Sequence, residues 1–223
     1  MNRFSFFAAL TLCMVIAGAA VAVPPSNGYI GVFGDATGTD CCITLNGGGN
    51  GRMYVFAVTG GGSADGIAGA EFKISIEPPA PNAVITWDPA AGVAVSTGNP
   101  IDNGNGGGGF VVFDGCQTQT GLAGDKILLG EINVWDMDEE HRLVVRRSDT
   151  TTNGTFACPS VLLCDAPAYT QVCLTLESGD PALGGEDPLG FVSVVNSQDC
   201  SGASCGFVSV QAETWSTIKD LYR

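Results

Sequence analysis

The chain has 223 residues, of which 9 are Lys or Arg and 23 are Asp or Glu, so its formal net charge at pH 7 is −14. Contacts with a nucleic-acid backbone need clustered cations, and we therefore expect no nucleic-acid partner for a chain this acidic. Apolar residues make up 45% of the chain, which is enough for one core, and its 32 glycines are typical of many turns and loops.

Residues 1–22 have the pattern of a secretory signal peptide. Arg3 supplies a positive charge, residues 6–15 are apolar, and residues 20–22 read Ala-Val-Ala, which fits the small-residue rule for signal cleavage. We expect a mature protein that begins at Val23 and keeps no membrane span once the signal is removed. Secretion or attachment to the cell surface is expected, with the periplasm as the alternative.

Apart from Cys13 in the signal segment, the chain has eight cysteines, and an even number in an exported chain is typical of disulfide bonds. The eight are Cys41, Cys42, Cys116, Cys158, Cys164, Cys173, Cys200 and Cys205. Their connectivity stays open, except that we predict a Cys200–Cys205 pair closing a short polar loop. A thiolate metal site is the alternative, but its paired C-x-x-C spacing is missing.

Short strand-like segments recur along the chain, separated by clusters of Gly, Pro, Asn and Asp. In chain order they are Tyr29–Gly34, Arg52–Thr59, Ile67–Glu77, Ala83–Trp87, Gly109–Asp114, Ile127–Trp135, His141–Arg147, Gln171–Glu177, Gly190–Val195 and Gly206–Gln211. No segment longer than about a dozen residues has helical periodicity, which argues against a parallel α/β sheet with crossover helices. The pattern predicts an all-β, antiparallel β-sandwich of about nine or ten strands.

Two local patterns refine this prediction. The segment Glu71–Glu77 alternates, with apolar residues at 72, 74 and 76, which predicts one face on the core and one face in water. The sequence Gly-Phe-Val-Ser-Val occurs at 190–194 and again at 206–210. The repeat predicts a hairpin of two similar strands.

The C-terminal residues 214–223 have the pattern of a short helix that starts at Thr214. One face of this helix would carry Trp215, Ile218, Leu221 and Tyr222. That face either packs on the sandwich or is recognised by a partner. The predicted organisation is a signal peptide at 1–22, one disulfide-bearing domain at 23–213, and this helix or tail.

The strand Met53–Val58 and the following segment Gly66–Ile76 resemble the opening of cohesin-like modules, in which a Gly-led turn precedes a strand that carries an aromatic residue. Gly124–Val134 is similar to the part of such modules where a turn leads into a long strand. The resemblance implies a sandwich of the jelly-roll or immunoglobulin/cohesin type that binds a helical dockerin partner. The chain also resembles small exported bacterial proteins of unknown function that share its C-terminal tail.

His141 is the only histidine, so any Ser–His–Asp triad or Cys–His dyad would have to include it. It lies in the charged segment 136–142, which we predict to be a solvated turn, and we therefore predict no catalytic activity. Asp136, Asp138 and Glu140 offer closely spaced oxygen ligands and form a candidate calcium site. A second candidate is the segment 102–105, and no other cofactor is expected.

Trp87, Trp135 and Trp215 are candidates for a platform on which sugar rings stack, with packing at the core or rim as the alternative. Three classes of function remain. We expect an exported, non-catalytic binding module for a protein partner or a surface glycan. The alternatives are a structural or self-assembling component of the cell envelope and, least favoured, a secreted hydrolase.

Overall fold

The structure, a computed structural model, describes residues 28–59, 66–118, 126–149, 158–164, 169–174 and 192–196. These residues form thirteen β-strands and no helix, which confirms the all-β prediction. No described helix is long and apolar enough to cross a membrane. The predicted signal peptide, the Cys200–Cys205 pair and the helix at 214–223 lie outside the described residues.

Every predicted strand that falls within the described residues overlaps an observed one, while the segment 206–211 lies outside them. The strands are β1 (Gly28–Phe33), β2 (Cys42–Ile43), β3 (Gly51–Thr59), β4 (Ile67–Glu77), β5 (Val84–Pro89), β6 (Val93–Asn99), β7 (Ile101–Asp102), β8 (Gly108–Gln117), β9 (Lys126–Trp135), β10 (His141–Arg146), β11 (Ser160–Leu163), β12 (Gln171–Cys173) and β13 (Val192–Val195). Four of them, β2, β6, β7 and β11, were not expected from the sequence.

The strands form two mainly antiparallel sheets. The four-stranded sheet has the order β1-β3-β9-β5. The nine-stranded sheet follows the path β12-β11-β4-β10-β13-β2, with β7 and β8 also paired to β4, and β6 paired to β8. β4 is long enough for its first half to pair with β8 and β11 and its second half with β7 and β10.

One hydrophobic cluster draws buried side chains from both sheets. Val55 of β3 and Ile132 of β9 contribute from the four-stranded sheet, and Phe72 of β4 and Leu143 of β10 from the larger one. The rings of Phe72 and Trp87 meet edge to face, with their centroids 5.9 Å apart. Because both sheets bury apolar side chains in this cluster, it is the main source of stability.

The prediction that one face of Glu71–Glu77 is in water is wrong. Lys73 and Ser75, on the face opposite the apolar residues, are each only 8% exposed. The Lys73 Nζ lies 2.6 Å from a carboxylate oxygen of Asp149 and 3.6 Å from one of Asp102. A buried charge is tolerated when it is paired in this way, and the hydrogen bond from Lys73 lowers the pKa of Asp149.

The first of the two repeated segments contains β13, which pairs antiparallel with β10 and, at Val194 and Val195, parallel with β2. The second segment, 206–210, lies outside the described residues, so the hairpin between the two stays a prediction.

Disulfide bonds are confirmed. Cys116 is bonded to Cys164 with a Cα–Cα distance of 5.9 Å, and Cys158 to Cys173 with 5.6 Å. Cys41 and Cys42 are disulfide-bonded as well. The first two bonds tie β11 and β12 to each other and to β8, where short strands alone provide few hydrogen bonds.

Candidate functional site

The side of the four-stranded sheet that points away from the core has two different halves. Strand alternation places side chains of β1, β3, β5 and β9 on this outer face, and an irregularity in the register of β3 and β9 at Val55 and Phe56 shifts the alternation in β9 by one residue. One half is apolar and covered by a loop, and the other half is polar and open. The open half is the candidate functional site.

The covered half is a second, smaller apolar cluster. The rings of Phe33 and Phe56 are buried and meet edge to face, with centroids 5.8 Å apart. The loop 34–40 runs over them, and at Gly38 a Cβ would lie 3.1 Å from the Phe56 ring. Lys126 donates a 2.5 Å hydrogen bond to the Gly38 carbonyl and lies 5.6 Å from the Phe33 ring centre.

Asp35 holds this covering loop in shape. Its carboxylate accepts hydrogen bonds from the backbone N–H groups of Thr37, Thr39 and Asp40 and from both threonine hydroxyls. Burial alone would raise the pKa of Asp35, but these hydrogen bonds outweigh it and hold the pKa well below its usual value. The ionised carboxylate therefore stabilises the closed loop.

Asp35 is expected to make part of the stability acid-sensitive. Its folded-state pKa is lower than the unfolded value of about 3.8, so its contribution is present above that pH and is lost as the pH falls below it. We expect Asp35→Asn to melt below the wild type at pH 7, with the gap narrowing from pH 3.8 downward. Melting curves across this range test the expectation, and a gap that stays constant with pH contradicts it.

The open half carries one large aromatic side chain beside polar groups. Trp135 ends β9 and is 45% exposed, and Val84 of β5, its partner in the strand register, is 56% exposed. The seven side chains of this half, called the open patch below, are Arg52, Val84, Thr86, Asp88, Glu131, Asn133 and Trp135.

Within the open patch, four polar side chains form one hydrogen-bonded network across β3, β9 and β5. The guanidinium of Arg52 lies 3.0 Å from a Glu131 carboxylate oxygen. The same guanidinium donates a 3.1 Å hydrogen bond from Nε to the side-chain oxygen of Asn133. The Asn133 amide in turn donates a 2.6 Å hydrogen bond to Asp88. The network fixes donors and acceptors next to the exposed indole.

His141 is not in a solvated turn, as the sequence had suggested. It is the first residue of β10 and is 3% exposed, and its Nδ1 lies 2.8 Å from the carbonyl oxygen of Pro78. β10 is flanked by β4 and β13, which explains the burial. The ring joins the end of β10 to the turn after β4.

The three acidic residues predicted to bind calcium do not form a metal-binding group with one another. Asp136, Asp138 and Glu140 are all exposed in the turn between β9 and β10. Nowhere in the described ranges do three or more His, Cys, Asp or Glu side chains form a group that could hold a metal ion. The structure therefore adds no support to a calcium site at this turn.

The second calcium candidate, at 102–105, has a structural role. One oxygen of Asp102 accepts hydrogen bonds from the N–H groups of Gly104 and Gly106. The Asn103 side chain accepts from the Ala80 N–H at 2.6 Å and donates to its carbonyl at 2.7 Å. These contacts shape the loop between β7 and β8 and tie it to the turn before β5.

The three tryptophans do not form one platform. Trp87 is partly buried against the main core cluster, whereas Trp135 lies on the outer face of the same sheet. Trp215, with the other tail residues Ile218, Leu221 and Tyr222, lies outside the described residues. Trp135 is thus the tryptophan that remains a candidate for ligand contact in the described ranges.

Comparison with known proteins finds no matching family model, no similar curated protein and no similar solved structure. The resemblance to cohesin-like modules therefore remains an expectation from the sequence.

Proposed function

We propose that the protein is an exported, disulfide-bonded β-sandwich of the jelly-roll or immunoglobulin/cohesin type, and that it acts as a non-catalytic binding module for a protein partner or a surface glycan. The observation that carries this proposal is the exposed Trp135 beside the fixed polar network of the open patch. Disulfide bonds and the signal-like residues 1–22 support export, because disulfides persist in oxidising compartments.

Single exposed apolar side chains are common on protein surfaces and need no explanation. The open patch differs because its aromatic side chain is flanked by groups that already hold one another in position. Arg52, Asn133 and Asp88 lose little further freedom when a ligand arrives, which lowers the entropic cost of binding. Tryptophan and arginine are also the side chains that most often dominate binding energies.

Trp135→Ala is the direct test of this proposal. The oxidised protein, as exported by its host, is immobilised and exposed to envelope extract and to polysaccharides, and retained material is titrated. We expect the variant to bind the retained ligand about 30-fold more weakly, the effect of losing a central aromatic contact. Its melting temperature is expected to stay near that of the wild type, because the side chain is exposed.

Tyr169→Ala is the matched control, because it removes an aromatic side chain that is 47% exposed between β11 and β12, away from the open patch. We expect it to bind as the wild type does. Equal loss in both variants, or full binding by Trp135→Ala, would remove the open patch as the binding surface.

A self-assembling envelope component is the second candidate, and the strand edges favour it. Among the described strands, β5 pairs only with β9, and β6 pairs only with β8. β6 carries no charged residue and no proline, the usual protection of an open edge. Sedimentation at several concentrations tests this candidate, and a monomer at all of them counts against it.

A further inference from the structure

We infer that the open patch binds a neutral polysaccharide, with the Trp135 indole stacked on one sugar ring and the polar network bonded to hydroxyl groups. This inference rests on the proposed binding function and goes beyond it by choosing between the two classes of ligand.

The charges of the open patch favour a neutral ligand. Its one cation, Arg52, is already paired with Glu131 at 3.0 Å and hydrogen-bonded to Asn133. Asp88 adds a second negative charge, and the whole chain has a net charge of −14. A phosphorylated, sulfated or uronic-acid polymer would be repelled by this surface, because no free cation offsets its charge there.

The small apolar area disfavours a protein partner. A stable protein interface covers about 800 Å² on each side and has an apolar centre with few charges. In the open patch, the exposed large apolar side chains are Trp135 and Val84 alone, and they adjoin two carboxylates and a guanidinium. A protein docked here would have to bury these charged groups, which is costly.

A sugar ring offsets that cost, because its many hydroxyl groups hydrogen-bond to the charged groups that it covers. Its C–H face has the size of an indole face, and its hydroxyl groups both donate and accept hydrogen bonds. Carboxylates of Asp88 and Glu131 accept from hydroxyls, while Arg52 and Asn133 can donate to them. Three strands span about 10 Å, the length of roughly two linked sugar rings.

Affinity electrophoresis with pure polysaccharides tests the inference. The neutral probes are glucan, mannan and xylan, and the anionic probes are alginate and polygalacturonate. We expect at least one neutral polymer to retard the wild type, and neither anionic polymer to do so. Trp135→Ala is expected to lose about 30-fold in affinity, and Trp135→Phe to retain part of it, because a smaller ring still stacks.

Two further variants test the contribution of hydrogen bonds and provide a control for the loss of an exposed aromatic side chain. Asn133→Ala is expected to weaken binding about 5- to 10-fold, the effect of a lost hydrogen bond. Tyr169→Ala is expected to bind as the wild type, and melting curves verify that every variant is folded.

The possible results distinguish a failure of the glycan inference from a failure of the proposed binding function. If only anionic polymers bind, or if a protein from envelope extract binds through Trp135 and no polysaccharide does, the glycan inference is overturned while the binding function stands. If neither polysaccharides nor extract proteins are retained, both are overturned.

Discussion

Phe72→Ala is expected to lower the free energy of unfolding by about 3–5 kcal/mol. Phe72 is fully buried in the middle of β4, and its ring meets Trp87 of the opposite sheet. The substitution removes a large apolar surface and leaves a cavity between the two sheets. Since a domain of this kind has about 5–15 kcal/mol of stability in total, the variant should unfold at a much lower urea concentration.

Phe110→Ala provides the matched control. Phe110 lies opposite Glu71 on the neighbouring strand β8 and is only half-buried. We expect its truncation to cost less than half as much as that of Phe72. Urea unfolding followed by fluorescence measures both, and equal losses would contradict the placement of Phe72 at the centre of the core.

Removing either described disulfide is also expected to lower the free energy of unfolding by several kcal/mol. Cys158→Ser with Cys173→Ser opens a loop of sequence separation 15 and is expected to cost about 3 kcal/mol. Cys116→Ser with Cys164→Ser opens one of separation 48 and is expected to cost about 4 kcal/mol. In both cases the cause is the greater freedom of the unfolded chain.

Urea unfolding of the two double variants measures these costs. Peptide mapping of the oxidised wild type verifies the two pairs, and the same digest tests the predicted Cys200–Cys205 pair. A loss below about 1 kcal/mol for both variants would contradict the entropic account.

The strongest strands were predictable because their pattern is local. β4 was predicted with its observed bounds, since Phe72, Ile74 and Ile76 alternate with polar residues. β6 was missed because its residues are small, polar and mostly exposed, and it exists through pairing with β8. The burial of Lys73 and His141 was missed for a related reason: it depends on neighbours distant in sequence.

The candidate site was predictable only in part. Trp135 was identified from its residue type, and alternation at the end of β9 places it on one face with Asn133. Arg52 and Asp88 gave no signal of their own. They belong to the open patch because β3 and β5 lie on either side of β9 in the sheet. This strand order cannot be deduced from local sequence patterns.

Contact between the ligand and Trp135 can be observed by side-chain NMR. The ligand found by electrophoresis is titrated, as an oligosaccharide, into ¹⁵N-labelled protein. We expect saturable shifts of the Trp135 indole N–H and the Asn133 side-chain amide, with the Trp87 indole unchanged because its Nε1 is buried. Saturable binding that leaves both Trp135 and Asn133 unshifted would contradict it.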